Sequence, residues 1–225
     1  MRHHTSEHAD PGVWTIVVGG GSGQRFGRPK QYESLRAGER VIDRSRSVAE
    51  SVSGGVIVVV PADDADREGG VAGGATRSES VRAGLAEVPS DGSVDVVCVH
   101  DAARPLAGVE LYVRVIAAVR AGADAAIPGI AVADTIKVLD CDGRVLDTPD
   151  RSTLVNVQTP QAFRLPALRA AHANGGEATD DAALIEAVGG TVMVVEGDPA
   201  NRKITMPDDL EWARRHVATP TSEEL

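Results

Sequence analysis

The chain has 225 residues, 42% hydrophobic and only 3% aromatic, and its 33 acidic against 23 basic side chains leave a net charge of −10. That length buries a core without disulfide or metal staples, and an acidic balance with few aromatics for base stacking argues against non-specific nucleic-acid binding, which rests on phosphate neutralisation. Cys98 and Cys141 form neither a CxxC pair nor a disulfide ladder, which excludes a thiolate metal site and fits a reducing, cytoplasmic setting, and no apolar run approaches the roughly 20 residues of a membrane span.

The polar segment 1–11 carries His3, His4 and His8, lacks the apolar centre of a signal peptide, and is expected to be a disordered tail. Trp14 to Val18 reads as a buried strand, stopped by Gly19-Gly20-Gly21-Ser22-Gly23. Val41, Ile42, Val48 and Val52 have helical spacing, and the strand Val56 to Val60 that follows completes a βαβ unit. A short helical stretch and a turn at Gly73-Gly74 lead to a helix marked by Ser80, Val81, Gly84, Leu85 and Val88, then to the strand Val94 to Val99. Val109 to Val119 is a helix, Ala125 to Pro128 a short strand, Leu165 to Ala173 and Ala182 to Val188 are helical, and Thr191 to Val195 is a closing strand. Val132 to Val157 breaks this rhythm: Thr135 to Val138 and Arg144 to Leu146 flank Asp140-Cys141-Asp142-Gly143, a hairpin signal. The fold class is α/β: a single Rossmann-like three-layer domain over 12–217, with a mainly parallel sheet and an inserted antiparallel β-arm over 132–157 that serves as a lid or a dimerisation element, followed by a tail over 218–225. Sites then gather at the carboxyl ends of the strands.

The loop Gly19 to Phe26 sits where such a fold binds phosphates, because glycines let backbone N–H groups approach an anion. It matches neither GxGxxG nor GxxxxGK[ST], which disfavours a dinucleotide site and a P-loop. Two cations, Arg25 and Lys30, accompany it, as suits charge stabilisation on a polyphosphate; a flexible turn with two solvated bases is the plainer alternative. Asp101 ends a hydrophobic strand in His100-Asp101-Ala102-Ala103-Arg104-Pro105 and is placed to hold Mg²⁺ bridging nucleotide phosphates, with Arg104 beside it for an anion or hydroxyl. The alternative is a structural Asp101–Arg104 pair, and His100 is read as a packed strand-end residue.

These residues resemble the 2-C-methyl-D-erythritol 4-phosphate cytidylyltransferases over nearly the whole chain. The resemblance rests on the glycine loop with Arg25, Pro29-Lys30-Gln31-Tyr32, Gly73-Gly74 with Arg77 and Ser80, His100 to Pro105, Asp134 to Lys137, Gln158-Thr159-Pro160-Gln161, Thr179-Asp180-Asp181 and Lys203-Ile204-Thr205, in order and spacing. It implies attack of the acceptor's 4-phosphate on the α-phosphorus of CTP, with pyrophosphate leaving and Mg²⁺ as cofactor. It further implies Arg25, Lys30 and Lys203 as catalytic cations, Asp101 as metal ligand, and Gly19, Gly20, Gly21, Gly23, Gly74 and Ser80 around CTP. The small polyol phosphate would meet Arg104, Thr135, Arg151, Thr159 and Thr179, with Thr135 and Arg151 supplied by the arm of a second copy in a homodimer. No membrane or nucleic-acid partner is implied.

Departures from the family pattern are informative. Gly19-Gly20 stands where an alanine pair is usual, Ala75 follows Gly74 where some members carry an acid, and Ala200 occupies a position where many members carry a metal-site acid, leaving Asp198 as a substitute or a turn residue before Pro199. Two rival readings remain: cytidylyl transfer to ribitol 5-phosphate, separable only in the acceptor pocket, and a nucleotide-binding protein without catalysis.

Overall fold

The computed structural model describes residues 9–21 and 26–217. Of the expected site residues, Gly23 and Arg25 lie outside the described residues, as do both chain ends, 1–8 and 218–225. The chain runs through β1 (Asp10–Val18), a 3-10 turn at Lys30–Tyr32, the hairpin β2 (Ser34–Arg36) and β3 (Glu39–Arg40), α1 (Val41–Val52), β4 (Ser53–Val60), α2 (Ala65–Glu68), β5 (Val71–Ala72), α3 (Arg77–Ala86) and β6 (Val96–Asp101). It continues as α4 (Val109–Arg120), β7 (Ala125–Ala131), β8 (Val138–Leu139), β9 (Val145–Asp147), β10 (Val155–Val157), β11 (Gln161–Arg164), α5 (Leu165–His172), α6 (Asp181–Ala187), β12 (Val192–Glu196) and α7 (Pro207–Val217).

Alternation along the central strands sorts side chains into two layers. Val13 and Val17 of β1, Val58 and Val60 of β4, and Val96 and Cys98 of β6 pack with Ile42 and Ala49 of α1 and Leu111, Tyr112 and Val115 of α4. Their neighbours Ile16, Ile57, Val59, Val97 and Val99 pack with Val81 and Leu85 of α3, Leu168 of α5 and Ile185 of α6. Each fully buried Val, Leu or Ile contributes about 1.5–3 kcal/mol relative to exposure, so these two layers dominate the stability. Close approach of α3 to the sheet requires Gly84, where a Cβ would sit 2.6 Å from Ile16 Cγ2. A third cluster joins α7, through Leu210 and Ala213, to Phe26, Leu35, Val41 and Ile204.

The sheet runs β10-β7-β11-β6-β1-β4-β5, with β12 also paired to β7. β1 is parallel to both β4 and β6, β4 to β5, and β12 to β7, whereas β11 is antiparallel to both β6 and β7. The mainly parallel, three-layer architecture is therefore present with an antiparallel strand near its middle. That strand, Gln161–Arg164, is too short for alternation to announce it, and its first residues read as a motif instead.

Several boundaries differ from the sequence-based expectation. β1 takes in Asp10 and Pro11, expected in the N-terminal tail; the extension pairs Asp10 with Ser53. The arm is shorter than 132–157, because Val155–Val157 pair antiparallel with Gly129–Ala131 and belong to the main sheet. Its hairpin ladder pairs Val138 with Asp147 and Leu139 with Val145, both strands lying further along the chain than expected, the first moved toward the turn and the second one residue away from it. Asp140 sets that turn, its Oδ1 accepting from the N–H groups of Asp142 and Arg144 at 3.0 and 2.8 Å. Cys141 is exposed at its tip, whereas Cys98 is buried in the sheet. The hairpin β2–β3 and helix α7 had no counterpart in the expectation.

Candidate active site

Three strands end together and create the site. In register, Val18 of β1 lies beside Val59 of β4 and Asp101 of β6, at the point where the strand order reverses around β1. The glycine loop leaves β1 at Gly19, whose N–H donates to Val59 O at 2.7 Å. A cavity of about 590 Å³ opens there, lined among others by Gly19, Gly20, Gly21, Lys30, Gly74, Arg77, Ser80, Asp101 and Lys203. Its volume is that of a small-molecule site. Among the described residues, its lining holds three cations, Lys30, Arg77 and Lys203, and one carboxylate, Asp101, in a protein that is acidic as a whole.

Consecutive residues of β6 point to opposite layers. His100 follows Val96 and Cys98 toward α4 and meets Tyr112, ring centroids 5.6 Å apart, while Asp101 follows Val97 and Val99 toward α3. Asp101 is 8% exposed; its Oδ2 lies 2.6 Å from Lys203 Nζ and its Oδ1 3.4 Å from Arg77 Nε. Burial pushes this carboxyl up, but the fields of Lys203, Arg77 and Arg104 outweigh burial and hold it well below the usual carboxylate range.

His100 is 1% exposed, and burial pushes its imidazole down to about 4 from 6.5. Between those values the unfolded chain binds the extra proton, so His100 contributes stability that is fully present above about pH 6.5 and is lost as pH falls toward 4. That contribution is roughly 3 kcal/mol. An NMR titration is expected to find the His100 ring neutral through pH 5, and a midpoint near 6.5 would contradict its burial. The packed strand-end reading of His100 agrees with this environment.

The second loop is built around a helix cap. Thr76 caps α3 by accepting from Glu79 N–H, and Glu79 folds back so that its Oε2 accepts from the N–H groups of Ala75 at 2.6 Å and Thr76 at 3.1 Å. That carboxylate lies so near Gly74 that a Cβ there would collide with Glu79 Cβ, which explains the glycine. The Ser80 hydroxyl donates to Thr76 O at 2.9 Å while lining the cavity. Lys30 lines the cavity from its 3-10 turn, anchored next door by the Tyr32 hydroxyl donating to Asp64 at 2.7 Å.

The segment carrying Lys203 is stapled to the sheet. Gln158 donates through Nε2 to Asp198 O at 2.8 Å and accepts at Oε1 from Asp198 N–H at 3.0 Å. Asn201, fully buried, donates to Thr159 O at 2.8 Å. Arg104 spends its guanidinium on backbone, donating to Asn201 O at 2.9 Å and Val157 O at 3.2 Å. Thr159 is 5% exposed, and its Oγ1 accepts from Asp101 N–H at 3.0 Å. In the chain alone, Arg104 and Thr159 therefore brace the cavity rather than line it. Asp198 is a turn residue, its Oδ1 accepting from Ala200 N–H at 2.8 Å.

Thr135 and Arg151 lie exposed on the arm, outside the lining of their own chain's cavity, and Arg151 donates to Ala133 O at 2.6 Å. Thr179 is exposed just before Asp180, which caps α6 by accepting from Ala183 N–H. Sequence reasoning quoted Arg77 and Asp181 within motifs but gave neither a role; the structure joins them by a 2.6 Å ion pair. Their separation of about a hundred residues left no local signal.

Comparison with known proteins agrees with this geometry. A family model described as 2-C-methyl-D-erythritol 4-phosphate cytidylyltransferase matches residues 13–219. A protein of that name from Nocardia farcinica is 40% identical, the match covering 91% of this chain and 93% of the relative. A bifunctional IspD/IspF enzyme from Anaeromyxobacter dehalogenans is 44% identical over 92% of this chain but 57% of its own length. The chain thus spans from about a third to little more than half of the length of the bifunctional curated relatives it matches. Among solved structures, 4-diphosphocytidyl-2C-methyl-D-erythritol synthase from Anaerococcus prevotii superposes with a TM-score of 0.79 at 28% identity, covering 92% of this chain and 96% of that one. The cytidylyltransferase from Thermus thermophilus gives 0.76 at 31%, covering 91% and 98%. With a parallel sheet, a glycine loop at its switch point and a cationic cavity already in place, the chain belongs to the 2-C-methyl-D-erythritol 4-phosphate cytidylyltransferase family.

Proposed function

We propose that the chain transfers the cytidylyl group of CTP to 2-C-methyl-D-erythritol 4-phosphate, giving 4-diphosphocytidyl-2-C-methyl-D-erythritol and pyrophosphate. The observation that carries this reading is the set of cations Lys30, Arg77 and Lys203 lining a cavity beside the glycine loop, two of them, Lys203 and Arg77, paired with Asp101. A phosphate oxygen of the acceptor forms a bond to the α-phosphorus, the bond from that phosphorus to the bridging oxygen breaks, and the electron pair leaves with pyrophosphate. Charge builds on the equatorial and bridging oxygens, where fixed cations bind the transition state more tightly than the ground state. Lys30 and Lys203 fill that role, joined by Arg25. Backbone of Gly19, Gly20, Gly21, Gly23 and Gly74, with the Ser80 hydroxyl, holds the nucleotide.

The donor chemistry at Asp101 fits Mg²⁺. Among the described residues no group of three or more His, Cys, Asp or Glu side chains is placed to hold a metal by protein ligands alone, and Mg²⁺ is commonly held by one or two carboxylates plus phosphate oxygens and water. When bound, Mg²⁺ would neutralise the triphosphate of CTP. Asp101 is its protein ligand in this reading. Asp198→Asn keeps the oxygen that caps the Ala200 turn, and is expected to shift the Mg²⁺ requirement less than about threefold; a large rise would make Asp198 the substitute for the acid missing at Ala200.

The acceptor site requires a second copy of the chain. The arm and adjacent strands leave apolar side chains in water, including Leu139 at 54%, Val145 at 56% and Leu146 at 66% exposed, which two arms would cover by exchange across a two-fold axis. Thr135 and Arg151 would then reach the partner's cavity beside Thr179 of that chain, where Arg104 and Thr159, engaged with Asn201, Val157 and Asp101 in the chain alone, would turn to the acceptor only by giving up those bonds. Arg151→Ala is expected to raise KM for the acceptor phosphate about tenfold or more and leave CTP binding unchanged; a defect confined to CTP would move Arg151 to the nucleotide half.

Pyrophosphate release with CTP and Mg²⁺, run side by side with methylerythritol 4-phosphate and ribitol 5-phosphate, tests the whole reading. Release with the first alone supports it. Release with ribitol 5-phosphate alone assigns polymer precursor synthesis, and CTP binding without release from either assigns a non-catalytic nucleotide-binding protein.

A further inference from the structure

Arg77 faces the cavity from the first turn of α3, but it is gripped from behind. Its Nη1 lies 2.6 Å from Asp181 Oδ2, on the first turn of α6, while its Nε lies 3.4 Å from Asp101. Asp181 is fully buried and lines no part of the cavity. Its other oxygen, Oδ1, lies 3.0 Å from His172 Nε2; a carboxylate only accepts, so the ring donates. His172 is 4% exposed at the end of α5, and its Nδ1 is buried with no hydrogen-bond partner among the described residues.

A buried carboxylate demands a compensating charge, and Arg77 supplies it. Were Arg77 to swing fully toward a phosphate, Asp181 would be stranded, so the pair limits how far the guanidinium travels. The hydrogen bond from His172 fixes the rotation of the carboxylate and turns Oδ2 toward α3. We propose that Asp181 and His172 are positioning residues: the buried chain from His172 through Asp181 fixes the Arg77 guanidinium beside Asp101 and presets the cationic wall that meets the nucleotide phosphates. The kinetic consequence rests on the cytidylyltransferase reading, whereas the placement of Arg77 does not.

Two readouts separate them. In protein without substrate, the slowly exchanging guanidinium N–H signals of Arg77, assigned by their loss in Arg77→Lys, are expected in wild type and His172→Gln and to be broadened in His172→Leu. With CTP and acceptor, kcat/KM for CTP is expected to fall about tenfold or more in His172→Leu and to recover to within about threefold in His172→Gln, whose amide donates to the same oxygen. Unchanged Arg77 signals in His172→Leu, or equal losses in both variants, overturn the proposal. If His172→Leu does not fold, the isosteric Asp181→Asn is read in the same way, and wild-type Arg77 signals in that variant overturn it. Should wild type turn over neither acceptor, the functional reading falls while the NMR comparison still decides the positioning.

Discussion

Lys203→Ala is expected to lower kcat by about two to three orders of magnitude while changing KM for CTP less than about tenfold. The side chain is 40% exposed, so its removal leaves no cavity, and Gln158, Asn201 and Arg104 still hold the segment around it. What is lost is the cation proposed to act at the reacting phosphorus, together with the ion pair that holds the buried Asp101 carboxylate. Lys203→Arg separates charge from geometry: the guanidinium keeps the positive charge but cannot place one compact ammonium 2.6 Å from Asp101, and an intermediate rate is expected. Steady-state kinetics, run well below the melting temperature of each variant, checks the assignment. An unchanged kcat would remove Lys203 from the transition state.

Asp101→Asn is the second large effect and reaches stability as well as rate. The amide is isosteric, but it leaves Lys203 and Arg77 facing a neutral group in a cavity wall. Removing one partner of a fully buried pair costs roughly 3–5 kcal/mol; with Lys203 partly solvated, a loss of about 1–3 kcal/mol is expected. Because the folded-state carboxyl is held below its ordinary 3.8, its contribution is present above that value and disappears as pH falls below it. The melting temperatures of wild type and Asp101→Asn should therefore differ at pH 7 and converge in acid. Turnover is expected to fall by at least about a hundredfold, with a raised Mg²⁺ requirement. A variant of wild-type rate and metal dependence would take Asp101 out of the phosphate site.

The layered fold was legible because it rests on local signals. Valine-rich runs at Trp14 to Val18, Val56 to Val60 and Val94 to Val99 mark central strands buried on both faces, and the glycines after the first of them place the site. β11 was not legible, because its four residues join a parallel sheet antiparallel, a choice made by pairing with β6 and β7 rather than by propensity. Lys30, Asp101 and Lys203 could be picked out because each is a charge in a recognisable motif. Arg104 and Thr159 belong to similar motifs, yet their polar atoms are taken up by Val157, Asn201, His100 and Asp101, partners that only the tertiary structure brings near. The His172–Asp181–Arg77 chain is legible only in three dimensions, since α3, α5 and α6 supply one member each.

The placement of the two cysteines has a practical side. Burial pushes the Cys98 thiol up to about 12 and shields it from reagents, whereas Cys141 sits exposed at the hairpin tip. A maleimide dye added to the unmodified protein should attach at a single point, on the element whose fluorescence anisotropy and distance to a label on a second copy would test the proposed arm exchange.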